Sequence, residues 1–293
     1  LEFFLLLAFA GLSQGAIYTL IAHGFNVTYS TLKVVNFAHG SFLMIAVMLS
    51  LAAFRASLPL PLALGIGMCA TAAMAGLLEL VAIRPVLRQP GGMGWVVSTL
   101  GAAITLQSLA ALIWGTQAMA FPAVVFDSTD YVAIAGTRLS LQLVMIFVVA
   151  TAVMLLLEWV VRYTVWGKIL RATSFDPDAA LLKGIPVQAV VTASFVLSGG
   201  LAGLAGVLIA PISGIEPAFG LNLMIKGFVA AVIGGMGSSL GAFVGGMVVG
   251  LTELMVGGYF SSAWRDGVVF LLLIAMLMFR PRGLFGKRPE VKV

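Results

Sequence analysis

A chain of 293 residues in which 61% are hydrophobic and only 9% are charged has too little polar surface to solvate a globule, and its mean hydropathy of +1.13 excludes a soluble enzyme or binding domain. The net charge of +5 is a small excess of 16 Lys and Arg over 11 Asp and Glu, which membrane topology explains without any nucleic-acid partner. The single cysteine, Cys69, excludes a disulfide framework and a cysteine metal cluster, and its apolar surroundings read as packing.

Apolar segments run at roughly 3–24, 40–54, 60–83, 95–114, 139–161, 187–211, 222–236, 240–258 and 264–279. A helix needs about 20 such residues to cross the hydrocarbon. The runs recur along the whole chain and leave no room for a soluble domain, so residues 1–293 are expected to form a single transmembrane domain. Stretches such as LVMIFVVATAVMLLL and FLLLIAMLMF are apolar all round, whereas barrel strands would alternate, so the spans read as helices. The expected fold is an all-α polytopic bundle of eight or nine spans, in which the second, seventh and last are short and some helices are broken. The first run resembles a signal-peptide core, but Glu2 stands where a basic region belongs and the apolar character continues to Ala22, so it reads as a span. Within it GLSQG, Gly11 to Gly15, formally matches the nucleophile elbow of serine hydrolases; lying inside an apolar helix, Gly11 and Gly15 read instead as a packing pair.

Orientation follows from the basic residues, which stay cytoplasmic in short loops. With the C-terminus inside, Lys33, Arg84, Arg88, Arg162, Lys168, Arg171, Lys183, Arg280, Arg282, Lys287, Arg288 and Lys292 are cytoplasmic. Only Arg55, Arg138 and Arg265 then face out, and Lys226 falls in a span. The loop AMAFPAVVFDSTDYVAIAG, with Asp127 and Asp130, lies outside, and nine spans place the N-terminus outside too.

The same alternation makes the polar stretch RATSFDPDAALLKGIP, Arg171 to Pro186, cytoplasmic. Asp176 reads as a helix N-cap, Pro177 as the first helical residue and AALLK as helix formers. Gly184 closes the helix and Pro186 stops it, giving a peg of about two turns with Ala179 and Ala180 on a smooth surface.

DAALLKG carries the spacing EAA-x-x-x-G and resembles the coupling-helix signature of ABC importer permeases. NFAHG at Asn36 to Gly40, LELVAIRPVLR, the GK-x-x-RA pattern at Gly167 to Ala172, GGMGSSLGAFVGG and the ending PRGLFGKRPEVKV look, in that order, like the branched-chain amino-acid permease family of the LivH type. Ser41 follows NFAHG where that family often has an acid, and Asp178 replaces the Glu of EAA. The resemblance implies an uptake machine in the bacterial cytoplasmic membrane: a second permease of the LivM type, two cytoplasmic ATPases that hold ATP and Mg, and a periplasmic or extracellular substrate-binding protein. It also implies that Arg171, Ala172, Asp176, Asp178, Ala179, Ala180 and Gly184 contact the ATPase. Branched-chain amino acids are the implied substrate, with urea, short amides or other small amino acids as the alternative. No G-x-x-x-x-G-K-[ST] phosphate loop occurs in the sequence, so hydrolysis is expected on partner chains and no cofactor on this one. An ion-driven secondary transporter is the rival that the membrane pattern alone leaves open.

Polar groups inside spans cost several kcal/mol unless paired or wetted, which makes Asn36, His39, Gln107, Lys226 and Glu253 the candidates for the substrate pathway. His39 and His23 also have a structural reading, as hydrogen-bond partners of helix backbone. Glu79 with Arg84 and Glu158 with Arg162 are expected as boundary ion pairs. Gly237, Gly241 and Gly245 recur every four residues and are expected to let helices pack closely.

Overall fold

The computed structural model describes residues 2–87, 93–126, 130–134 and 137–286. Arg88, Asp127, Lys287, Arg288 and Lys292, invoked above, lie outside the described residues. Twelve α-helices are described: α1 Glu2–Leu32, α2 His39–Arg55, α3 Leu60–Leu78, α4 Arg84–Leu87, α5 Gly94–Trp114, α6 Leu141–Tyr163, α7 Val165–Phe175, α8 Pro177–Leu182, α9 Val187–Ser213, α10 Phe219–Gly234, α11 Ser239–Tyr259 and α12 Trp264–Phe279. A π-helical turn over Glu79–Ile83 joins α3 to α4. Among the described residues six helices are long and apolar enough to cross a membrane, and α2 and α10 are shorter apolar helices. The result is a polytopic helical bundle. Outside it stands an antiparallel hairpin, β1 Tyr131–Ile134 with β2 Thr137–Ser140, in the segment read as a loop.

The buried centre is formed by α1, α2, α9, α10 and α11, while α3, α5, α6 and α12 lie around it. Of α5 only Thr99 and Ala110 are fully buried: one face, with Ala102, Ala103 and Leu106, packs on the core and the other is exposed. Small residues bring the inner helices together. A Cβ on Gly15 would stand 2.7 Å from the Gly246 carbonyl, and Gly250 packs on Gly11 and Gly15 from the other side. Gly199 and Gly206 do the same for α9 against α3 and α2. In hydrocarbon, where apolar area gives no preference for protein over lipid, this backbone approach supplies the packing energy.

The bundle has an internal two-fold arrangement. AHGSFLMI, Ala38 to Ile45, and AFGLNLMI, Ala218 to Ile225, share five of eight residues and open α2 and α10. Both begin on the same turn: His39 N–H donates to Asn36 O and Ser41 N–H to Ala38 O, as Phe219 N–H does to Glu216 O and Leu221 N–H to Ala218 O. The two helix starts cross at Gly40 and Gly220, each glycine against the other's carbonyl. Around that crossing α1 packs on α11 as α9 packs on α3, and α2 packs on α9 as α10 packs on α1. Such repeats place two broken helices opposite one another, the arrangement that transporters use around a central site.

At the other end of α3 the Glu79 carboxylate receives Arg84 through two bonds of 2.9 Å, and Thr192 of α9 donates to the same carboxylate at 2.8 Å. This pair clamps the π-helical turn to α9. Arg162 and Glu158 pair one turn apart on α6. Both boundary pairs anticipated above are present.

Candidate functional site

α8 is specified by its own six residues and their flanks. The Asp176 side chain accepts the Ala179 N–H at 3.1 Å, and Pro177 occupies the first turn, where its missing N–H leaves no bond unmade. At the far end Gly184 takes φ +80°, Gly184 N–H donates to Leu181 O at 2.9 Å and Ile185 N–H to Ala180 O at 3.0 Å. These two bonds complete a Schellman stop, which needs a left-handed residue. Only Ala180 of the helix is buried, whereas Leu181 and Leu182 are 63% and 89% exposed. The peg thus presents two bare leucines.

α7 leads into the peg. Thr164 accepts the Gly167 N–H to cap it, and the Arg171 guanidinium donates to Val161 O at 2.6 Å, tying the helix back onto the end of α6. Arg171 therefore has a contact within its own chain, and Ala172 is half-buried beside it. α7 touches α1 and α9, so the peg is mounted on the bundle's central helices. Lys33, Arg84, Arg162, Lys168, Lys183, Arg280 and Arg282 fall at this end, and Arg55, Arg138 and Arg265 at the opposite one.

A narrow crevice opens where α2 and α10 cross. Phe37, Gly40, Ser41, Gln107, Pro217, Leu221 and Met224 are among the residues that line it. Two helix N-termini converge there, and the positive ends of their dipoles suit a carboxylate. Gln107 brings a side-chain amide to the same wall from α5. Asn36 and His39 sit behind it: Asn36 Oδ1 accepts the Ala38 N–H at 3.0 Å, and His39 Nδ1 lies 3.2 Å from Ser198 Oγ with its ring 4.7 Å from that of Phe25. Both are buried, and both hold the break between α1 and α2. A wider depression at the end away from α8 is lined by Ala118, Ser213, Glu216 and Asn222.

Lys226 and Glu253, named separately from the sequence, form one ion pair. Lys226 Nζ donates to Glu253 Oε1 at 2.7 Å and to Asp266 Oδ1 at 2.8 Å. Tyr18 O–H donates to Glu253 Oε2 at 2.6 Å, and Gln14 Nε2 donates to the Tyr18 hydroxyl at 3.0 Å. Four helices, α1, α10, α11 and α12, meet in this cluster. Sequence reasoning passed over Tyr18, Gln14 and Asp266, because a tyrosine in an apolar helix and an acid near a helix start are ordinary features.

The three glycines of the four-residue repeat have different places. Gly241 and Gly245 bring α11 against α10, Gly245 lying under Ala230 O. Gly237 is in the turn between them, with φ +85° and its N–H donated to Asn26 Oδ1 at 3.0 Å. Ser13, the would-be nucleophile, donates to Phe9 O and to Leu143 O, both at 2.9 Å. His23 contacts Thr19 O at 2.9 Å and Ser239 Oγ at 3.0 Å, so neither residue forms a base and nucleophile pair with the other.

A family model described as the permease component of the branched-chain amino acid transport system matches residues 7–277. The chain is 34% identical over 306 residues to the high-affinity branched-chain amino acid transport system permease protein LivH of Escherichia coli strain K12, covering 99% of this chain and 97% of that one. It is 34% identical to the corresponding protein BraD of Pseudomonas aeruginosa, covering 96% and 95%, and 30% identical to a probable LivH of Methanocaldococcus jannaschii, covering 91% and 88%. No solved structure matches.

Proposed function

The chain belongs to the family of branched-chain amino acid transport permeases, and from that premise we propose that it is the membrane-spanning subunit of an ATP-driven importer of leucine, isoleucine and valine. It is a multi-pass protein of the bacterial cytoplasmic membrane. The observation that carries the coupling half of the reading is α8, a helix capped at both ends and bearing two exposed leucines on the most basic face of the bundle. Arg171, Ala172, Asp176, Asp178, Ala179 and Gly184 form or flank the surface that a cytoplasmic ATPase grips, whereas Ala180, expected on that surface, is buried and seats the helix on its own chain. ATP and Mg are held by two such ATPases, and this chain carries the displacement rather than the chemistry.

Nine crossings, with the N-terminus outside and the C-terminus in the cytoplasm, account for the distribution of basic residues. The whole chain serves as one permease domain, paired with a related permease of the LivM type. The exposed face of α5 is available for that pairing. Substrate arrives from an external binding protein at the depression beside Glu216 and Asn222. It passes the crossing of α2 and α10, where Gln107 lines the wall and Asn36 and His39 fix the break, while Lys226, further along α10, and its partner Glu253 stand as the charged group of the pathway. Close packing at Gly241 and Gly245 lets α10 and α11 move as one body.

Reconstitution tests this reading. Liposomes holding this chain with its partner permease, two ATPases and ATP are expected to take up labelled leucine when the binding protein is added outside. The chain alone should be inert. Uptake by the lone chain, driven by an ion gradient, would identify a secondary transporter instead.

A further inference from the structure

We propose that Asp266, held by Lys226 at the edge of the bundle, receives the α-ammonium group of the transported amino acid while Lys226 takes its carboxylate. The inference rests on the importer reading above and assigns a zwitterion site to the Lys226 cluster.

The cluster is asymmetric. Glu253 is closed: one oxygen accepts from Lys226 and the other from Tyr18, which Gln14 fixes in turn, and its side chain is 7% exposed. Asp266 is open, with a side chain 71% exposed and bonded to Lys226 through Oδ1. A lysine ammonium has three donors, of which these two carboxylates occupy two. With all three groups ionised, one amine stands against two carboxylates, so the cluster carries a net charge of −1. Glu253 already neutralises Lys226 within the bundle, which makes Asp266 surplus to the pairing of that lysine. An arriving ammonium would cancel the excess. The carboxylate on the same Cα can then use the third Lys226 donor, so the pair matches both ends of a zwitterion. Asn222, which lines the outer depression, is exposed one turn before Lys226 on α10, so Lys226 follows it on the same face of that helix.

The complete transporter in proteoliposomes, assayed for labelled L-leucine uptake and for ATP hydrolysis stimulated by the binding protein, tests the assignment. Asp266→Asn keeps the shape and a hydrogen bond but removes the charge. It is expected to lower uptake about tenfold or more, the effect of losing one charge-assisted contact, while stimulated hydrolysis stays within about twofold of wild type. Asp266→Glu should recover most of the uptake. Wild-type uptake by Asp266→Asn overturns the proposal and leaves the importer reading intact. Joint loss of uptake and stimulation overturns it as well, by giving Asp266 a purely structural role. A wild-type complex whose hydrolysis ignores the binding protein removes the importer reading and this proposal together.

Discussion

Gly250→Leu is expected to destabilise the bundle by about 3 kcal/mol or more, because the added side chain must occupy the space of the α1 backbone. A Cβ at Gly250 would meet Gly15 N and Gly11 O, which are rigid main-chain atoms that no rotamer change can move aside. Separating α1 from α11 would also part Tyr18 from Glu253, so the damage reaches the polar cluster. Gly101 of α5 provides the control. Nothing lies within 4 Å of a Cβ there, and Gly101 is on the exposed face of α5, so Gly101→Leu should leave stability unchanged or raise it by up to about 1 kcal/mol through helix propensity. Thermal unfolding of the purified variants in one detergent checks both. Equal melting of the two would mean that the glycine contacts between α1 and α11 do not hold the bundle together.

Gly184→Val should uncouple the transporter. Its left-handed φ of +80° costs a β-branched residue about 1–2 kcal/mol, a modest loss for the whole fold but a large one for a helix of six residues. Within this chain nothing lies within 4 Å of a Cβ at Gly184, so the fold itself sets no steric limit there. Gly184→Asn therefore separates two effects, since asparagine tolerates the left-handed region. It should melt like wild type yet still reduce leucine uptake, because its side chain stands where the ATPase approaches. For Gly184→Val we expect uptake to fall about tenfold or more while ATP hydrolysis continues. Full uptake by both variants would remove α8 from the coupling path.

The parts of the molecule legible in the sequence are those set by local chemistry. α8 was readable residue by residue, because an N-cap, a first-turn proline and a closing glycine act within one or two turns. The ion pairs Glu79–Arg84 and Glu158–Arg162 were readable for the same reason. α1 was read as ending near Gly24, yet it runs to Leu32. Its polar last turns are carried by bonds that hydropathy does not register: Thr28 and Thr31 donate to carbonyls of their own helix, and Asn26 donates to Ser238 O across the bundle. Lys226 and Glu253 stood out singly as charges in apolar helices, but their pairing joins residues 27 positions apart and the Tyr18 bond spans 235. The repeat of Ala38–Ile45 at Ala218–Ile225 was present in the sequence and needed only a self-comparison. Its meaning, two helix starts crossing glycine to glycine, belongs to three dimensions.

The central claim is that α8 is a handle on the cytoplasmic side, gripped by a nucleotide-hydrolysing partner. Leu182→Cys, in a chain whose natural Cys69 is replaced by serine, tests it most directly in cells that also express the ATPase. The account predicts that a short thiol-reactive crosslinker joins this cysteine to the ATPase, and that a membrane-impermeant maleimide added outside intact cells leaves it unlabelled. Labelling from outside, or a complex that assembles without ever crosslinking at that position, would contradict it.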